Sequence, residues 1–190
     1  MPTSPTAKPQ IAVIVGSNRR ESINRRLAQA LAKLGDGRFD AKIVRIDDLP
    51  MYNQDNEANP GPEVLRFKDE ISKADGVLIV TPEHNRSMPA ALNNAVHWGA
   101  RPFGKSVWPG KVGFITGTTP GVIGTALVQT HLRSVMLGLG MTLLGGEAYV
   151  NFKPNLFDDQ GNISDETTQK FLLGFVDRFA TLVSKVSGKA

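Results

Sequence analysis

The 190-residue chain contains no cysteine, which excludes disulfides, thiol catalysis and thiolate metal sites. Any redox chemistry it performs therefore needs a bound cofactor. No hydrophobic run approaches the length of a membrane span, and Met1-Pro2-Thr3-Ser4-Pro5-Thr6 lacks the apolar core of a signal peptide. A cytoplasmic protein is expected, with residues 1–8 as a disordered leader and 9–190 as one domain long enough to bury a substantial core. Histidine is scarce: His84, His97 and His131 stand far apart, none with metal-ligand spacing to a carboxylate, so no metal is expected. Charge of neither sign dominates. The 22 Lys and Arg exceed the 18 Asp and Glu by four, with no dense basic stripe, so an anionic small molecule suits the chain better than nucleic acid.

What is present begins with the apolar run Ile11-Ala12-Val13-Ile14-Val15, followed directly by Gly16-Ser17-Asn18-Arg19-Arg20-Glu21-Ser22-Ile23-Asn24. Ile23, Leu27, Leu31 and Leu34 then recur at helical spacing, giving a strand, a polar loop and a helix start. The first turn of a helix leaves N–H groups unpaired and carries partial positive charge, so it attracts phosphate. Ser22 is placed to cap this helix. Position three, where a capping box would hold Glu or Gln, holds Arg25, which leaves the turn open to an outside anion. Neither G-x-x-x-x-G-K-[ST] nor G-x-G-x-x-G is present, which excludes a P-loop and leaves a Rossmann site unsupported. An anion held by side chains and a helix end suits a monophosphate.

Strand-like and helix-like runs alternate throughout. Strands are expected at Gln10–Val15, Ala41–Ile46, Gly76–Thr81, Lys111–Thr116 and Met141–Val150. The first helix ends near Gly35, and the second, entered through Pro60 and Pro62, carries Val64, Phe67, Ile71 and Ala74 on one face. Two more cover about Ser87 to Trp98 and Gly124 to Leu139. The last starts at Ser164 and buries Leu172, Val176, Phe179, Val183 and Val186. Five strands alternating with five helices predict an α/β fold, a flavodoxin-like doubly wound parallel sheet of order 2-1-3-4-5 with helices on both faces. Ligands in such sheets sit beyond the carboxyl ends of the strands, at the switch point between strands one and three.

Two further loops fall at that edge. After strand three comes Thr81-Pro82-Glu83-His84-Asn85-Arg86-Ser87-Met88-Pro89, stiffened at both ends by proline and offering short polar groups. It reads either as a capped turn or as a support for a flat heteroaromatic ring. After strand four comes the uncharged Thr116-Gly117-Thr118-Thr119-Pro120-Gly121-Val122-Ile123-Gly124, whose glycines permit close backbone approach and whose donors suit imide carbonyls.

Together, Gly16-Ser17-x-Arg19-x-x-Ser22-x-Asn24, Thr81-Pro82-Glu83-His84-Asn85 and the glycine-threonine loop resemble the NAD(P)H-dependent FMN reductase family, and within it the quinone and chromate reductase branch. The resemblance covers roughly Gln10 to Tyr149. It implies that Gly16, Ser17, Arg19, Ser22, Ile23 and Asn24 form the FMN phosphate loop, Ile23 through its backbone. It further implies that Pro82, Glu83, His84 and Asn85 lie against the isoalloxazine, and that Thr118 and Thr119 bind its pyrimidine side. The family motif reads Pro-Glu-Tyr-Asn, and His84 stands here in place of the tyrosine, where it can also face substrate.

By that resemblance the flavin carries the chemistry, taking hydride from NADPH or NADH and passing two electrons to a quinone, with chromate or azo compounds as further acceptors. No catalytic triad is then expected. Arg101, after the third helix, reads either as a helix-end cation or as a substrate-binding group for an anionic acceptor near the pocket edge. The fourth helix carries Leu127, Val128, Leu132, Val135, Met136 and Leu139, a stripe wider than one sheet face requires. With the resemblance, that stripe implies a homodimer or homotetramer whose neighbour helps close the flavin pocket. Two alternatives stand beside the quinone reductase: an NAD(P)H:FMN reductase that releases reduced flavin, and a non-catalytic flavodoxin-type electron carrier. Such carriers are typically acidic, which a sequence pI near 9.5 disfavours.

Overall fold

The computed structural model describes residues 7–189, so most of the expected leader lies outside the described residues. Parallel strands β1 (Gln10–Val15), β2 (Asp40–Val44), β3 (Gly76–Val80) and β4 (Val112–Thr119) form the sheet, with β5 (Thr142–Leu143) and β6 (Ala148–Asn151) on the outer edge of β4. The helices are α1 (Ile23–Leu34), α2 (Pro62–Lys73), α3 (Ala90–Ala100), α4 (Ala126–Gly138) and α5 (Glu166–Ser187). The order is β2-β1-β3-β4-β5, as expected.

The period-two alternation of strands divides the core into two layers. Ile11, Val13 and Val15 of β1 pack with α1 and α5, while Ala12 and Ile14 pack with α2, α3 and α4. β3 divides likewise, with Leu78 and Val80 on the first face and Val77 and Ile79 on the second. A sheet buried on both faces needs near-continuous apolar strands, and β3 is buried at every position.

The expected single fifth strand, Met141–Val150, is broken in two. Gly145 and Gly146 interrupt it, Gly146 at φ 88°, a conformation that most side chains resist. The carbonyls released from pairing accept from arginines instead: Leu144 O from Arg133 Nη1 at 3.0 Å, Gly146 O from Arg133 Nη2, and Gly145 O from Arg178 Nη1 at 3.5 Å. The break re-aims the chain, so β6 pairs with Thr116–Thr119 while β5 pairs with Val112 and Gly113. β4 therefore runs three residues beyond the expected Thr116 and draws half of the glycine-threonine loop into the sheet. The third helix starts at Ala90 rather than Ser87, because residues 84–87 close a turn ahead of Pro89. At the far end of α5, Val186 is exposed rather than buried.

Candidate active site

The carboxyl ends of β1, β3 and β4 meet at Thr81, and two glycines make this possible. A Cβ on Gly16 would lie 2.3 Å from Thr81 Oγ1, and one on Gly117 would lie 2.0 Å from the Thr81 carbonyl oxygen. Only glycine fits at either position without the strand ends moving apart. The close approach expected of Gly117 toward a ligand is thus made to the neighbouring strand instead.

Beyond these ends lies a cavity of about 430 Å³, within the range that holds small ligands. All three loops line it: Gly16, Ser17, Arg19, Ser22, Ile23 and Asn24 from the first, Pro82 and His84 from the second, Thr118 and Thr119 from the third. Ten residues singled out from sequence thereby share one hollow at the switch point. Sequence reading missed Asn18, Pro120 and the start of α3 at Pro89, Ala90 and Ala91. The signal for that helix start was present: two alanines after a proline leave room for a flat ring.

Each loop is fixed by its own chemistry. Ser22 caps α1, its Oγ accepting from Arg25 N at 3.2 Å, while the cap leaves the hydroxyl proton free. Asn24 is 1% exposed and welds the first loop to the third: its Nδ2 donates to Thr118 O and its Oδ1 accepts from Thr118 N, both at 2.9 Å. The Asn24 side chain is therefore engaged within the protein. Its backbone N–H, in the first turn of α1, remains among the donors that a helix leaves unpaired.

The second loop is a tight turn. His84 N donates to Ser87 O at 3.1 Å and Ser87 N to His84 O at 2.9 Å, with Asn85 at φ 51° and Arg86 at φ 64°. Two left-handed residues are the mark of a type I′ turn. Asn85 tolerates this conformation and Arg86 carries the strain. His131 Nδ1, from α4, is 2.8 Å from Ser87 Oγ and ties the turn to that helix.

Glu83 and Asn85 do not line the cavity. Thr125, the residue before α4, is at φ 69° and makes no side-chain cap. Glu83 Oε2 supplies one, accepting from Leu127 N at 3.0 Å and Val128 N at 3.1 Å, while Oε1 accepts from Arg86 Nη1 at 3.3 Å. A carboxylate at a helix N-terminus also complements the helix dipole. Glu83 thus binds the second loop to the helix that follows the third.

Arg101 is likewise not at this cavity. It follows the C-terminal end of α3, whose N-terminal end forms the cavity wall. There Arg101 Nε donates to Glu57 Oε1 at 2.6 Å and to Tyr52 Oη at 3.2 Å, and Tyr52 Oη donates to Glu57 Oε1 at 2.6 Å. The Tyr52 hydroxyl, then the Arg101 guanidinium, hold the Glu57 carboxyl below its ordinary value. Within the chain the arginine is a paired helix-end cation.

With this geometry in hand, the model of the NADPH-dependent FMN reductase family matches residues 9–155. The chain belongs to that family. It is 49% identical over 176 residues to a 2-hydroxy-1,4-benzoquinone reductase of a Burkholderia species, covering 92% of this chain and 96% of the relative. It is 46% identical to a quinone reductase of Pseudomonas putida, over 91% and 94% of the two chains. Among solved structures it resembles FerB, a flavoenzyme NAD(P)H:(acceptor) oxidoreductase from Paracoccus denitrificans, with a TM-score of 0.90 and 43% identity, covering 93% of this chain and 98% of that one.

The residues present fit the FMN of this family. Hydroxyls of Ser17 and Ser22, the amides at the start of α1 and the exposed Arg19 make a donor set for a phosphate. Thr118, in the lining, keeps a buried hydroxyl with no hydrogen-bond partner among the described residues, and a buried polar atom of this kind calls for one.

Proposed function

We propose that the protein is an FMN-dependent NAD(P)H oxidoreductase that reduces quinones by two electrons, with a broad range of acceptors. The observation that carries this reading is the convergence of three chemically different loops on one cavity at the switch point, in a chain nearly half identical to reductases named for quinones.

When bound, FMN supplies the redox chemistry, accepting hydride from NAD(P)H and returning two electrons to the acceptor. The chain's own residues bind and orient it. Ser17, Arg19, Ser22 and the Ile23 and Asn24 amides hold the phosphate by charge-assisted hydrogen bonds. Pro82 and His84 support the ring, while the uncharged Thr118 and Thr119 face its pyrimidine side. Glu83 and Asn24 keep these loops in register from behind. No protein nucleophile is required.

The protein works in the cytoplasm as a homodimer or homotetramer. Val128, Leu132 and Met136 of α4 are buried in the chain, but Leu127 remains 43% exposed beside Val122 at 94% and Ile123 at 47%. Val122 and Ile123 line a neighbouring hollow that shares Thr119 with the cavity, and exposed apolar groups there suit a second copy of the chain.

The test is spectroscopic. The purified protein should be yellow, bleach anaerobically with NADPH or NADH, and recover with a quinone. A colourless protein that reduces only added FMN would instead favour the flavin-releasing reductase, and a yellow protein inert to both nicotinamides a carrier.

A further inference from the structure

A second hollow, of about 260 Å³, opens on the other side of the Ser17–Asn18 segment. It shares those two residues with the larger cavity and is lined in addition by Arg25, Ile43, Arg45 and Asp47. Arg25 occupies the third position of α1, a first turn that carries no carboxylate, and there the helix dipole disfavours a cation. Among the described residues it forms no ion pair within 4.0 Å, and the carboxylate that feels its charge is Asp47, which Arg45 already holds. Arg45, the residue after β2, is held through Nε alone: Asp47 Oδ1 lies at 2.8 Å and Asp48 Oδ2 at 3.6 Å. Both its Nη groups are without hydrogen bonds among the described residues.

Two guanidinium groups thus face one hollow, one at a cost to its own helix, the other braced with its fork free. The Asp47 carboxylate is the lone negative group of the lining. A phosphomonoester answers this arrangement: it is dianionic, has three acceptor oxygens and matches the planar fork of arginine. Of the two nicotinamide coenzymes an NAD(P)H oxidoreductase can take, only NADPH carries such a group, its 2′-phosphate. Ile43, 36% exposed, adds an apolar surface at the same place.

We propose that Arg25 and Arg45 form a subsite for the 2′-phosphate of NADPH, so that the protein prefers NADPH to NADH. The proposal rests on the NAD(P)H oxidoreductase reading above. The 2′-phosphate end of the coenzyme lies in the smaller hollow with Asp47 accepting from a ribose hydroxyl, and the nicotinamide end reaches the larger cavity.

Calorimetric titration of the FMN-loaded protein with 2′,5′-ADP, 5′-AMP and inorganic phosphate tests the subsite without turnover. Losing a charged hydrogen bond costs about tenfold or more in affinity, so 2′,5′-ADP should bind at least about tenfold tighter than 5′-AMP. Arg25→Met and Arg45→Met, which remove the charge without adding a capping group to the start of α1, should each erase most of that difference and leave 5′-AMP binding and the flavin spectrum unchanged. In steady state, Arg25→Met should raise KM for NADPH by about tenfold with kcat and the NADH constants preserved. Equal binding of 2′,5′-ADP and 5′-AMP would overturn the subsite. So would inorganic phosphate binding as tightly as 2′,5′-ADP, or an equal rise in KM for both coenzymes. If neither coenzyme is oxidised in the presence of a quinone, the oxidoreductase reading fails, and the calorimetry still decides the subsite.

Discussion

At the residue scale, Asn24 carries more of the architecture than its place in a polar loop suggests. Replacing it with alanine leaves the buried Thr118 N–H and C=O without partners, and each unpaired buried group costs about 1–3 kcal/mol. We expect Asn24→Ala to lower unfolding free energy by about 2–4 kcal/mol in a urea titration, and to weaken FMN retention because the first and third loops separate. Arg19→Ala acts differently. Arg19 is exposed and its side chain makes no hydrogen bond or ion pair among the described residues, so stability should hold while the dissociation constant for FMN rises about tenfold, measured by flavin fluorescence. The two residues look alike in sequence, short or charged polar groups in a loop after a strand. Residue type and spacing identified the loop, but the direction each side chain takes depends on where β4 ends, which no local pattern encodes. Arg101 stays open between two readings in the sequence for a related reason: helical spacing says where a helix stops, not which of its two ends borders a cavity.

At the element scale, α4 lacks an N-cap of its own. Thr125 is left-handed and its hydroxyl donates to Gly124 O at 2.5 Å, so the helix borrows Glu83 from another loop. Glu83→Ala should cost about 1–2 kcal/mol, the range for losing a helix cap, and hydrogen exchange should speed up at Leu127 and Val128 ahead of the rest of α4. Gly117→Ala tests the packing of the strand ends. Its Cβ would meet backbone rather than a movable side chain, so the overpacking cost of about 1–3 kcal/mol should be accompanied by loss of FMN binding. Alternating apolar runs made five strands and five helices legible in the chain, and right-handed connection made their order legible too. The split of the last strand was not. Gly145-Gly146 signalled a possible break, but what stabilises it is Arg133 and Arg178, which come from two separate helices and leave no trace in the local sequence.

At the scale of the whole molecule, acid stability should be governed by carboxylates that cap turns and helices. Thr168 holds the Asp165 carboxyl below its ordinary value through its hydroxyl and amide, and Asn162, first by its backbone N–H, does the same for Asp158. A carboxyl with a depressed folded pKa stabilises the fold fully above its unfolded value, near about 3.9. That contribution is lost as pH falls from there through the lower folded value. Asp165→Asn should therefore reduce stability at neutral pH and flatten its decline below about pH 4, read from thermal melts across pH. Assembly belongs to this scale as well. The exposed Val122, Ile123 and Leu127 should be covered by a second copy, and light scattering at micromolar concentration should return a dimer or tetramer mass. The most direct measurement is an anaerobic titration of the purified protein followed by its visible spectrum. A flavin band that bleaches with one equivalent of reduced nicotinamide nucleotide and returns with one equivalent of quinone is the expected result. A protein that binds FMN in this cavity but leaves it oxidised in excess NADPH and NADH would contradict the account.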